Sequence, residues 1–256
     1  MTTLTETTHR PESATLARIF NVTRLHLINR FPIMVLPLLI LAFIFLVNYV
    51  IWWLLFDAVG VADRQDAIDG IQFSGASSFI FIYMLVVAVQ AVNLTFPFAL
   101  GFSVTRRDFY LGTCVAFVLL SAYYAAIMTV MAVLERVTNG WGLGGSMFDV
   151  VYFREENPVL QFVLFLLIFL FFFFIGAATA SVYVRWRANG MYVFFAFLTL
   201  LVIGFVALTT FADNWPAVGA WFARNGAMGV ALWSLVPTTL AAITGFYLMR
   251  RATPKN

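Results

Sequence analysis

The longest stretches of this sequence are missing charge. Six apolar runs, roughly 33–56, 77–98, 111–134, 159–184, 191–211 and 227–249, contain no Asp, Glu, Lys, Arg or His. A set of soluble amphipathic helices is thereby excluded, because each would need a polar face. The ionisable relay that proton- and sodium-driven carriers usually place inside the membrane is excluded too. Histidine occurs only at His9 and His26, both before the first run, so no intramembrane histidine metal or haem site can be assembled. The single cysteine, Cys114, rules out an internal disulfide and leaves the redox compartment open. The sequence has neither a G-x-S-x-G elbow nor a G-x-x-x-x-G-K-[ST] phosphate loop, so hydrolysis of ATP by the usual route is absent from this chain. Arg154-Glu155-Glu156-Asn157 carries the paired glutamates of intramembrane CAAX-type proteases. Leu160 stands where those enzymes need an Arg, and their companion histidine is lacking.

What is present is apolar: 62% of the 256 residues are hydrophobic, 18% aromatic and only 11% charged. A soluble domain sits near half apolar and a quarter charged, so the composition predicts an integral membrane protein. Each run approaches or exceeds the ~20 residues that cross a bilayer. The expected fold is therefore an all-α membrane protein with six transmembrane helices, occupying residues 31–251. Ahead of it, 1–12 reads as a disordered Thr-rich tail and 13–30 as an amphipathic helix capped by Ser13, lying in the interface. That helix sets Leu16, Ile19, Phe20, Leu27 and Ile28 among Arg18, Arg24 and Arg30. Residues 252–256 form a second tail. The first 30 residues lack a signal peptide's short apolar core and cleavage site, so the first span is expected to act as the insertion signal.

Basic residues orient the bundle. Eleven Lys/Arg fall on the side of the two termini and the second and fourth connectors, and four (Arg64, Arg136, Arg154, Arg224) on the other. The positive-inside rule then puts both termini in the cytoplasm. Acids divide the opposite way, three against nine. On the outside, 135–157 reads as a short interfacial element with Trp141, Phe148, Tyr152 and Phe153 around a Gly-rich turn, followed by Asn157-Pro158 as N-cap and N1 of the fourth span. Residues 213–222 read as a capped aromatic helix, either re-entrant or lying on the surface.

The span interiors offer only neutral polar groups, among them Gln90, Asn93, Tyr123 and Tyr124. These serve either as interhelical glue or as a candidate substrate path. Gly176, Ala177, Ala180 and Ser181 offer a close helix contact, and Pro37 and Pro237 are candidate bends. A polytopic chain with no relay and no catalytic group must do passive work or draw energy from a partner docked on its cytoplasmic side.

The connector between the second and third spans is suited to that docking. Phe98-Ala99-Leu100-Gly101-Phe102 is apolar, and Thr105-x-x-Asp108 has capping-box spacing around Arg106 and Arg107. Arg185-Trp186-Arg187 forms the matching, shorter second cytoplasmic connector. The run Ala99-Leu100-Gly101-Phe102-Ser103-Val104-Thr105-Arg106-Arg107-Asp108-Phe109, with six spans and an amphipathic N-terminal helix, resembles the permease subunit of bacterial type-2 ATP-binding-cassette exporters. The resemblance implies a coupling helix, formed by Ala99, Leu100, Gly101, Phe102, Thr105, Arg106, Arg107 and Asp108, seated in a groove of a separate ATPase subunit. It further implies a bacterial plasma-membrane location, a second permease copy or paralogue, and ATP and Mg held by the partner rather than by this chain. Exported cargo in that family is amphipathic: drug, peptide, lipid or glycan. The alternative expectation is a six-span assembly or sensor protein that holds a cytoplasmic regulatory partner through the same connector.

Overall fold

A computed structural model describes residues 12–58, 70 and 74–251. The tail expected over 1–11, most of the acidic first connector (with Asp63, Asp66 and Asp69) and the tail 252–256 lie outside the described residues. The fold is all-α: 88% helical, with no strand among the described residues. Helix α1 covers Glu12–Leu27, beginning one residue before the expected cap Ser13. A π-helical segment, Phe31–Val35, leads into α2, Leu36–Ala58. Then come α3 (Ser78–Gly101), α4 (Arg106–Val137), α5 (Pro158–Phe211), α6 (Trp215–Trp233) and α7 (Leu235–Arg250).

Among the described residues, five helices or helix pairs are long and apolar enough to cross a membrane: 31–58, α3, α4, α5 and the α6–α7 pair. Two of the six predicted runs fall within α5, whose 54 residues would rise about 81 Å if straight, against a hydrocarbon core of ~30 Å. It is not straight. Arg187 has φ 57° and ψ −148°, outside the helical region. A Cβ built on Gly190 would lie 2.4 Å from that of Trp186 and 3.5 Å from Val182 Cγ1. On one helix, Cβ atoms four apart are separated by ~5–6 Å, so the chain folds back at Arg187. A similar reversal occurs in α6 at Gly226 (φ 60°). It brings the Trp221 and Trp233 rings to 6.3 Å, although twelve residues of straight helix rise ~18 Å. The expected cap of this element is not made: Asn214 precedes it with no side-chain cap bond.

The packed centre lies between α3, α4 and the first half of α5. Gly176 permits it, since a Cβ there would strike Leu85 O at 2.6 Å and Ala88 Cβ at 2.8 Å. Ala177, Ala180 and Ser181 are buried beside it. The small-residue contact read in the sequence is thus the α3–α5 seam, and it draws the backbones close. Above it Phe81 meets Phe169 and Phe172 at 4.9 and 5.7 Å, and Phe117 stacks on Phe173 at 5.0 Å.

At Pro37 the neighbouring helices show how a missing donor is made good. Proline has no N–H for the carbonyl four residues back, Ile33 O. The Tyr124 hydroxyl donates to that oxygen instead. Leu36 N–H reaches back to Phe31 O in the π pattern, leaving Pro32 O for the Tyr83 hydroxyl at 3.2 Å. Two tyrosines from neighbouring helices therefore replace the donors that α2 lacks.

At the end of the bundle away from α1, the chain between α4 and α5 is organised by a buried carboxylate. Glu135, 2% exposed, accepts from the backbone N–H groups of Met147, Phe148 and Asp149 at 2.8–3.2 Å. The Trp141 indole donates to it at 2.9 Å. Next to it Asp149 takes both Arg136 (2.6 Å) and Arg154 (3.0 Å). Gly145 must be glycine because a Cβ would enter the Trp52 ring at 2.1 Å, which ties this loop to α2. Asn157 caps α5 as expected, its Oδ1 accepting from Val159 N–H at 2.8 Å.

Replacing Glu135 by Ala strands three backbone donors, each costing ~1–3 kcal/mol when unpaired. The variant is expected to lose at least ~3 kcal/mol of stability in detergent. The check is a thermal melt, read together with a red shift of Trp emission as Trp141 is released.

Candidate functional site

The connector between α3 and α4 is a built corner. The apolar segment 98–101 is the last turn of α3 rather than a separate short helix. Val104 N–H returns to Ala99 O and Ser103 N–H to Leu100 O. Ser103 at φ 59° completes a Schellman-type ending, with serine in the left-handed position usually given to glycine. Helix α4 starts immediately. Thr105 is its N-cap, and its Oγ1 accepts from Asp108 N–H at 3.1 Å. Half of the predicted capping box therefore forms; the other half does not, because the Asp108 carboxylate is turned onto α1.

That turn defines the site. Asp108, 3% exposed, accepts from Arg18 Nε at 2.8 Å. One turn on, α1 presses against Gly112, where a Cβ would lie 2.6 Å from Val22 Cβ and 2.8 Å from Ile19 O. Thr23 Oγ1 donates to Gly112 O at 3.0 Å. His26 then meets Thr113 Oγ1 at 2.8 Å. The same Thr113 hydroxyl lies 2.9 Å from Phe109 O. His26 Nδ1 is buried without a partner.

The same two turns of α4 also hold α7 and α3. The Tyr110 hydroxyl donates to Ala242 O at 2.6 Å, lying over Gly245, where a Cβ would touch it at 2.8 Å. Phe246 meets the Tyr110 ring edge-on at 5.7 Å. Arg106 donates to Arg250 O at 3.3 Å, and Phe109 packs on Phe96 of α3 at 5.3 Å. The head of α4 is thus a hub for three helices.

The eight predicted coupling residues, with Ser103 and Val104 between them, fall into three grades of exposure. Ala99 and Asp108 are buried, Leu100, Val104 and Arg106 are partly covered, and Gly101, Phe102, Ser103, Thr105 and Arg107 are exposed. At the tip Phe98 and Phe102, 55% and 69% exposed, stand edge-on at 4.8 Å. They form a small apolar prow outside the rigid corner. Arg185 of the second connector lies over the Trp186 ring at 4.7 Å, with Trp186 and Arg187 exposed. Among the described residues, no hydrogen bond, ion pair or ring contact joins Arg185 or Trp186 to the corner.

Of the four groups set aside for a substrate path, Tyr123 and Tyr124 meet edge to face at 5.1 Å. Gln90 and Tyr123 face outward, and Asn93 keeps a buried Oδ1 without a partner. Tyr124 is fully buried and occupied by the proline bend. An apolar cavity of about 560 Å³ lies elsewhere, where Phe81, Phe172, Phe222 and Val230 face one another near the Gly226 break. The α1–α4 clasp was not anticipated. Its signal was present as Gly112-Thr113 opposite Val22-Thr23, since a close helix crossing needs a small residue on one side.

Burial holds the His26 imidazole down at about 4, against an ordinary 6.5. Above pH 6.5 the ring is neutral whether α1 is docked or free, so docking is insensitive to pH there. Between pH 6.5 and about 4 the free helix takes up a proton that the docked one refuses. Docking therefore weakens as pH falls through that window, by roughly 3 kcal/mol in all. The protection factors of the α1 amides, with the intrinsic rate divided out, are expected to fall roughly thirtyfold from pH 7 to pH 5, and His26→Gln to remove that fall. Gly112→Val is expected to release α1 at every pH.

Compared with family models, curated proteins and solved structures, the chain matches none.

Proposed function

We propose that this chain is the permease subunit of a bacterial type-2 ATP-binding-cassette exporter, working in the plasma membrane with both termini in the cytoplasm. In this reading α5 crosses twice, turning at Arg187, and the α6–α7 pair supplies the sixth crossing after an outer helical hairpin. The fold-back at Arg187 supports that count. The chain provides no ATP site. A separate ATPase subunit binds ATP and Mg, and a second permease copy or paralogue completes the transporter.

One observation carries the reading: an exposed phenylalanine pair rides on a corner fastened to three helices. An apolar pair held outside a bundle needs a cover, and a cover that moves would displace α1, α4 and α7 together. The flanking Arg106 and Arg107 orient the ATPase groove by charge. Closure of the ATPases on ATP thereby tilts α4 and its clasped neighbours and drives an amphipathic cargo outward.

The test is Phe98→Ser with Phe102→Ser. Burying one phenyl is worth ~1.5–3 kcal/mol, so the double variant is expected to bind its ATPase at least ~100-fold more weakly. It should still insert with normal helicity. Co-purification with the ATPase subunit and cargo-stimulated ATP hydrolysis are the readouts. Undiminished binding would refute the role given to the corner.

A further inference from the structure

Beside the corner lies a cup of about 610 Å³ formed by α1, the head of α4 and the end of α7. Its polar lining is Thr15, Arg18, Thr105, Arg107, Asp108 and Arg250. Leu111 and Phe246 make an apolar wall. Among the described lining residues the only acid is Asp108, buried and held by Arg18. Arg107 and the Arg250 guanidinium have no hydrogen-bond or ion-pair partner among the described residues. Thr15 Oγ1 accepts from Arg18 Nη2 at 3.1 Å, and Thr105 Oγ1 accepts from Asp108 N–H. Each threonine therefore keeps its hydroxyl hydrogen to give away. The free groups of the cup are all donors, two of them guanidiniums, and three arginines face one carboxylate.

We propose that this cup binds the phosphate of an anionic lipid headgroup at the α1 end of the bundle. Guanidinium forks match phosphate oxygens, and basic pockets between membrane helices near the surface suit such headgroups. The apolar wall favours a lipid over free phosphate, because Leu111 and Phe246 lie where the glycerol and first methylenes would follow. Helix α1, which contributes Thr15 and Arg18, also exposes Leu16 and Phe20, 57% and 64%, as a helix resting among headgroups does. The bound phosphate neutralises Arg107 and Arg250 and bridges α4 to α7 across the gap that Arg106 spans only through a backbone oxygen. This inference stands without the exporter reading, since it concerns the chain alone.

The experiment uses the purified full-length chain in mild detergent and native mass spectrometry with phosphatidylglycerol, phosphatidylcholine or inorganic phosphate. The wild type is expected to retain one phosphatidylglycerol in preference to phosphatidylcholine, undisplaced by inorganic phosphate. Arg107→Gln with Arg250→Gln should cut that preference roughly thirtyfold while leaving helicity and melting temperature unchanged. Arg24→Gln with Arg30→Gln, which removes equal charge from α1 and the segment after it outside the cup, should leave the preference intact. Equal retention of the two lipids, displacement by phosphate, or an equal loss in the Arg24/Arg30 variant would each overturn the proposal. So would cup arginines that affect only the binding of an acidic protein partner. Should the double variant fail to fold, Thr15→Val with Thr105→Ser reads the same preference: a several-fold decrease supports the site and no change overturns it.

Discussion

The clasp between α1 and the head of α4 is the constraint on which the arrangement at this end depends. It combines one ion pair (Arg18–Asp108), one sterically enforced crossing (Val22 on Gly112) and one buried imidazole (His26 on Thr113) within two helical turns. Each part needs the others. The ion pair is partly solvated and by itself would contribute little, as exposed pairs do. The missing Cβ at Gly112 lets the helices approach closely enough to cover Asp108, and that cover gives the pair its weight. The outcome is a helix fixed to the bundle on one face and leaving Leu16 and Phe20 exposed on the other.

Much of this was legible in the sequence. The absence of charge from six runs announces membrane helices, and the small residues of 176–181 locate a seam. Thr105 and Asn157 behave as caps because the chemistry of a helix start is local. What stayed hidden is tertiary. Asp108 reads as half of a capping box until α1 offers it a guanidinium, and Tyr124 reads as a polar lining residue until Pro37 leaves a carbonyl unpaired nearby. The polar ending Arg185–Gly190 reads as a separate connector, yet helix continues to both sides of a single residue, Arg187. Helical geometry there persists through the turn, so length alone counts five candidates where the charge-free runs count six. Glu135 was legible as the edge of a connector but not as its centre, because the donors it collects lie 12–14 residues downstream.

The two ends of the bundle are built on different principles. At the α1 end, helices are held by side chains meeting backbone across close crossings, and unpartnered cations remain at the surface. At the opposite end one carboxylate gathers three amides and an indole, and Asp149 neutralises two arginines. The first arrangement leaves valence for another molecule. The second satisfies nearly everything internally, as a buried polar network must to be stable.

Helix α4 joins these two ends without interruption over 32 residues, about 48 Å of rise. It is stiff throughout: no proline or glycine interrupts it after Gly112. A rod of that length pivoted at its hub is a mechanical amplifier. Rocking it by about five degrees would carry the far tip sideways by about 4 Å, comparable with the width of a methylene chain. Because Glu135 and Arg136 sit at that tip with the whole loop fastened to them, the loop would travel as one plate rather than unravel.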